Sequence, residues 1–183
     1  FDHLASFILT IGGDEHQCSN FAIKDDESVF VGRNYDMYYR FKDDLESYLT
    51  MPEGGYWSLG NSDIFVGRED GVNEKGLAIA MSGTVAHIAP GIGFPIATRY
   101  VLDKCATVKE GIRFLTEIPH YSTISYLLAQ ADGEMAVVEA SPKRTAVRKP
   151  QRGDFLVSTN HFIHPEMLHI PLYEPPDSKT RYN

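Results

Sequence analysis

The chain passes through three regimes of hydrophobic spacing. Leu4, Phe7, Ile8 and Ile11 recur at helical intervals, so the spacing predicts a short helix over residues 1–11, stopped by Gly12-Gly13. The pattern then turns strand-like. Residues 19–24 and 28–32 read as two strands around an acidic turn at 25–27, a hairpin whose open ends must meet. Residues 43–51 fit helix or strand equally. Residues 56–59 and 63–67 read as short strands about a Gly60-Asn61 turn, and a tight polar turn over 70–76 feeds a buried strand at 77–81.

A helical stretch follows. Pro95 suits a first helical turn, and Ile96, Tyr100, Val101 and Leu102 share one side of a helix running to Cys105. Thr107-x-x-Glu110 is a capping box for a second helix, with Ile112, Phe114 and Leu115 as its apolar stripe. From residue 125 strands return: 125–131 and 135–140 around Asp132-Gly133, then 145–149 and 155–158. After Thr159 periodicity is lost among Pro165, Pro171, Pro175 and Pro176. Strands, helices and strands in blocks predict an α+β layered fold rather than a βαβ repeat. No linker divides the chain, so residues 18–183 are read as one domain and 1–17 as a helix plus linker ahead of it.

Composition narrows the function. The 183 residues are 43% hydrophobic and 23% charged, ordinary for a folded domain with one sizeable core. A net charge of -8 opposes binding to phosphate backbones, so no nucleic-acid partner is expected. The lone Gly91-Ile92-Gly93 lacks the lysine of a phosphate loop. No apolar run reaches membrane-spanning length. Two cysteines do not make a disulfide framework, which favours a reducing compartment and a cytoplasmic location. Cys105 falls in a helical stripe and reads as structural. His161, His164 and His169 lie in a Pro-rich stretch without regular spacing, so neither metal nor cofactor is expected.

The predicted hairpin carries the candidate chemistry. It brings Cys18 beside Arg33 and Asp36, although 15 and 18 residues separate them. A thiol near a cation and a carboxylate sits where a thiolate is favoured and an amine can be held. Tyr35, Tyr38, Tyr39, Phe41 and Trp57 suit an aromatic pocket or core packing equally.

Cys18-Ser19-Asn20-Phe21, Gly32-Arg33-Asn34-Tyr35-Asp36, Val72-Asn73-Glu74-Lys75-Gly76-Leu77, Ser158-Thr159-Asn160 and Ser178-Lys179-Thr180-Arg181 occur in the order seen in choloylglycine hydrolases. The chain resembles that family, together with penicillin V acylases and acyl-coenzyme A:6-aminopenicillanate acyltransferases, all N-terminal-nucleophile hydrolases. The resemblance implies an αββα four-layer sandwich. It implies Cys18 as nucleophile with its own α-amine as base, Asp36 holding that amine and Arg33 tuning the thiol. Asn73 and Asn160 would supply oxyanion donors, and Arg181 would complete the cluster. Bile-salt hydrolases usually expose the cysteine by losing only an initiator Met. The 17 residues before Cys18 instead suggest a propeptide cut off ahead of it, as in the acyltransferase branch. Family members also continue beyond the final arginine, so the expectation is a chain lacking its C-terminal part.

The implied activity is cleavage of a linear non-peptide amide, a small-molecule N-acyl substrate, through a thioester. Acyl transfer from a thioester donor to an amine, and an inactive ligand-binding relative, are the alternatives. A heterodimer of cleaved segments and a homo-oligomer are both open.

Overall fold

In the computed structural model the described residues are 17–36, 43, 45–63, 66–84, 86–151, 153–172 and 174–183. The helix expected over 1–11 and the aromatic residues Tyr38, Tyr39 and Phe41 lie outside them.

Two antiparallel sheets face each other. The smaller has the order β10-β1-β2, from β1 (Gln17–Lys24), β2 (Val29–Asp36) and β10 (Phe155–Ser158). The larger is a seven-stranded meander in chain order: β3 (Glu46–Thr50), β4 (Ser58–Ser62), β5 (Asp70–Asn73), β6 (Leu77–Gly83), β7 (Ile124–Gln130), β8 (Met135–Ala140) and β9 (Thr145–Arg148). Two helices, α1 (Phe94–Lys104) and α2 (Val108–Glu117), interrupt the meander between β6 and β7 and cover its outer face. A five-residue helix, α3 (Ser178–Tyr182), closes the described chain. The α+β expectation holds, with an α, β, β stack among the described residues.

The burial pattern follows position in the stack. β8 is buried along its whole length and β7 at all but its last residue, because one face meets the helices and the other meets the small sheet. Leu77, Ile79, Val101, Leu102, Leu115, Tyr126 and Leu128 form the core under the helices. Ala22, Leu127, Ala129, Met135, Val137 and Leu156 fill the space between the sheets. β1 alternates cleanly: Cys18, Asn20 and Ala22 face inward, while Phe21 and Ile23 face outward and are exposed.

Local signals explain the element ends. Thr107 Oγ1 accepts the Glu110 N–H at 3.2 Å, the cap of α2, and Glu110 Oε2 accepts the Ala106 N–H at 2.6 Å. Gly76, at φ +74°, makes the turn into β6.

Three expectations change. Within the stretch expected to be helix or strand, residues 46–50 are strand, since β3 pairs with β4. The two strands expected around Gly60-Asn61 are one strand running through it: Gly60 sits opposite Gly71, where a side chain would collide with the Asp70 carbonyl. The polar turn expected over 70–76 is strand for its first four residues, with the turn confined to 74–76.

Candidate active site

Register places the pieces. β1 and β2 pair Cys18 with Tyr35 and Asn20 with Arg33, so all four side chains point between the sheets. On the other side β1 pairs Asn20 with Ser158, and two residues further on the chain brings Asn160 level with Cys18. β6 enters from the opposing sheet and ends at Gly83.

Cys18 is 2% exposed, and four groups converge on it. Its main-chain N–H, here a peptide N–H following Gln17, donates to Asn160 Oδ1 at 2.9 Å. Arg181 Nη1 donates to its carbonyl oxygen at 2.6 Å and to Ser19 Oγ at 2.9 Å. Arg33 Nη2 lies 3.9 Å from the sulfur. The Gly83 backbone also hydrogen-bonds the sulfur. Asn160 ties the cluster together: Oδ1 also accepts Arg181 Nη2 at 2.8 Å, and Nδ2 donates to the Gly83 carbonyl at 2.6 Å.

Outer contacts hold these groups in place. Ser178 Oγ accepts the Asn160 N–H at 2.9 Å and lies 2.8 Å from His161 Nδ1. Arg181 Nε donates to Asp177 at 3.0 Å. With its amide nitrogen turned toward Asp177, Gln17 donates to both carboxylate oxygens at 3.2 and 2.9 Å. Arg33 donates from Nη1 to Asp70 at 2.8 Å and from Nε to the Met81 carbonyl at 3.2 Å, stacks over Tyr35 at 4.2 Å, and lies 3.5 Å from Glu69.

The electrostatics differ from the sequence expectation. Burial pushes the Cys18 thiol up and outweighs the Arg33 guanidinium and the Gly83 bond, which both pull it down; Glu69 adds to the upward push. The thiol of this chain is therefore stored protonated, not as the thiolate expected beside a cation. Burial works against the charge of Arg33, but Asp70, hydrogen-bonded to it at 2.8 Å, helps to keep it charged.

Of the six expected site residues, the structure gathers Cys18, Arg33, Asn160 and Arg181. Two stand apart. Asp36 is opposite Gln17, on the outward face of β2, exposed, and accepts the Asn34 amide at 3.0 and 3.2 Å. The reason is period two: three residues beyond Arg33, a strand side chain points the other way. Asn73 fastens the β5–β6 turn to α1. Its Nδ2 donates to the Leu102 and Cys105 carbonyls at 3.0 and 2.8 Å, and its Oδ1 accepts the Lys75 and Leu77 N–H groups. It closes β5 at the turn into β6, whose far end, Gly83, lies roughly 20 Å away along the strand. Gly83, Glu69 and Ser178 were missed. A main-chain donor at Gly83 leaves no side-chain signal in a sequence.

His161 hydrogen-bonds Thr159 and Ser178, and among the described residues no group of three or more His, Cys, Asp or Glu could hold a metal ion. Among them, too, no helix is long and apolar enough to cross a membrane.

Facing sheets with a helical layer, and a cysteine at the inner start of the first strand, define the fold of the N-terminal-nucleophile hydrolases. The family model of the acyl-coenzyme A:6-aminopenicillanic acid acyl-transferases matches residues 23–183, and the chain belongs to that family. Two solved structures share the fold. A cysteine-to-alanine mutant of the conjugated bile acid hydrolase from Clostridium perfringens superposes with a TM-score of 0.64 at 21% identity, covering 80% of this chain and 54% of that one. The Caenorhabditis elegans ortholog of N-acylethanolamine-hydrolyzing acid amidase gives 0.63 at 17%, covering 78% and 70%. This chain thus spans about half the length of the bile acid hydrolase. No curated protein matches it.

Proposed function

We propose that the protein is a cysteine amidase of the N-terminal-nucleophile type, activated by its own scission ahead of Cys18 and acting on a linear N-acyl amide. The observation that carries this reading is the convergence on Cys18: Asn160 Oδ1 on its nitrogen, Arg181 on its carbonyl, and Gly83 and Arg33 at its sulfur.

In this reading residues 1–17 are a propeptide. The Cys18 sulfur attacks the Gln17 carbonyl carbon, its proton passes to the Cys18 nitrogen, and the C–N bond breaks to leave a thioester. Water then releases the propeptide. Scission has two consequences. The nitrogen becomes an α-amine with a pKa of about 8, a base on the same residue as the nucleophile. The new amine also lies in reach of the thiol, whose ionisation Arg33 and the Gly83 bond already favour.

In turnover the amine takes the thiol proton and the sulfur attacks the substrate carbonyl. The Gly83 N–H, aimed at the sulfur, suits the developing oxyanion, and Asn160 Nδ2 joins it if it leaves the Gly83 carbonyl. The protonated amine gives its proton to the departing amine, and water hydrolyses the thioester. Asp36 enters only if the hairpin end rearranges after scission, and Asn73 acts by holding β6 in place.

Mass spectrometry of the purified chain tests the reading: a new N-terminus at Cys18 is expected, with Cys18→Ala uncut and inactive. An intact precursor that turns over N-acyl amides defeats it. The family match supports a second reading, acyl transfer to an amine. Comparing hydrolysis with aminolysis of one acyl donor separates the two.

A further inference from the structure

Behind Arg33 lies a buried group of acids that the reaction above does not use. Glu69 is fully buried, and its carboxyl lies against that of Asp63. Asp63 Oδ2 already accepts the Tyr35 hydroxyl at 2.9 Å. Among the described residues, neither Asp63 Oδ1 nor Glu69 Oε1, both buried, has a donor. Two carboxylate oxygens cannot face one another in a dry interior unless a proton lies between them. The charge balance agrees. One guanidinium faces Glu69 at 3.5 Å and Asp70 at 2.8 Å, with Asp63 behind, and Cys18 and Tyr35 are the other titratable groups that face this cluster.

We propose that Glu69 is a positioning residue for the Arg33–Cys18 pair: it carries a proton, donates it to Asp63, and so leaves the guanidinium's field directed at the sulfur. Burial pushes Glu69 up to about 8, and its ionised form opposes thiolate at Cys18. Rising pH therefore acts twice and in opposite senses. It draws the proton from the thiol, and it places a second negative charge beside Arg33 that returns the thiol's hold on its proton. The proposal rests on the amidase reading for its consequence in turnover, but its geometry stands independently.

The test uses the full chain and Glu69→Gln, which keeps the shape and the donor to Asp63 but cannot ionise. Infrared spectroscopy at neutral pH should show a buried protonated-carboxyl C=O band in the wild type that Glu69→Gln removes. Cys18 alkylation by iodoacetamide, followed against pH, should titrate about 0.5 to 1 pH unit lower in the variant. A role in shape alone would leave that curve in place. Absence of the band at neutral pH, or superimposable alkylation curves, overturns the proposal. If Glu69→Gln fails to fold, the wild-type band decides by itself: it must fade as pH rises through the alkaline range. An amidase reading that fails shows differently, as a chain never cut before Cys18 whose carboxyl band is still present.

Discussion

Asn160 Oδ1 receives the main-chain N–H of Cys18 at 2.9 Å, joining residues 142 positions apart. The same side chain binds Arg181 and the Gly83 carbonyl, so it couples β1, β6 and α3 at one point. Asn160→Ala leaves the buried Cys18 N–H unpaired, at a cost of about 1 to 3 kcal/mol. The expected outcome is a lowered unfolding midpoint, arrested scission, and a fall in kcat/KM of roughly 100-fold or more in any cut fraction. Asn160→Asp keeps the acceptor and should still be cut. Scission of the alanine variant at the wild-type rate would exclude Asn160 as the joint.

Arg33 is the cation beside the thiol and the partner of Asp70 and Glu69. Arg33→Ala leaves the partly buried Asp70 carboxylate without its cation, a loss of at most about 3 kcal/mol, since Asp70 keeps its Asn61 bonds. It also removes a downward pull on the thiol, so Cys18 should alkylate more slowly at neutral pH. Thermal unfolding and alkylation of the same samples check both effects. Faster alkylation in the variant would show that the guanidinium does not favour the thiolate.

The raised Glu69 makes stability depend on pH in a definite sense. Its folded value, about 8, exceeds the unfolded value near 4.3, so between these limits the folded state holds the extra proton. Stability from this group is present below the unfolded value and is lost as pH climbs through the folded one. His161 and His120, both lowered mainly by burial, act in the opposite sense, losing stability as pH falls through the unfolded histidine value near 6.5. Unfolding midpoints should therefore decline in the wild type from neutral pH up to about 8, above the range where the histidines oppose it, and level off beyond; Glu69→Gln should flatten that decline. A wild-type midpoint that holds steady between about pH 6.5 and 8 would show that Glu69 is already ionised at neutral pH.

Much of this site was legible in the pattern of the chain, and the exceptions have physical reasons. The acidic turn at 25–27 between two apolar runs located the β1–β2 hairpin, and pairing alone then placed Arg33 beside Cys18. The capping box at Thr107 and the Asp132-Gly133 turn worked because local chemistry decides them. Asp36 stands apart from Cys18 because strand alternation overrides closeness in sequence. Asn73 lies away from Cys18, and its sequence context could not say so, because a polar residue before a glycine turn looks the same whether it faces a substrate or fastens a helix. Asn160, Ser178 and Arg181 follow the loss of periodicity after residue 159, where no pattern says which face a side chain takes. The tie of Asn160 and Arg181 to Cys18 was reached through family resemblance.

Asp36→Asn is the informative control. The carboxylate is exposed and bonded to the neighbouring Asn34 amide, so folding stability should change by less than about 0.5 kcal/mol. Scission and turnover should match the wild type if the cut chain keeps the hairpin end as it stands. Any loss of either in a variant with an unchanged unfolding midpoint reports on chemistry. It would mean that the hairpin end turns inward once the chain is cut.

Gln17 occupies the position that scission would leave behind. Its amide donates to both oxygens of Asp177, the residue that also holds Arg181, and Arg181 in turn holds the Cys18 carbonyl. The clamp fixes both sides of the Gln17–Cys18 bond against one half-exposed carboxylate. Gln17→Ala removes one side of it, a loss of roughly 1 kcal/mol at a partly solvated site, so scission should slow by about fivefold. Because residue 17 is no part of the chain that starts at Cys18, kcat per cut molecule should equal that of the wild type. The time course of the new N-terminus gives the first quantity and active-site titration the second. A variant cut as fast as the wild type would show that the clamp does not orient the bond, and one impaired per cut molecule would show that the released segment stays bound and takes part in turnover.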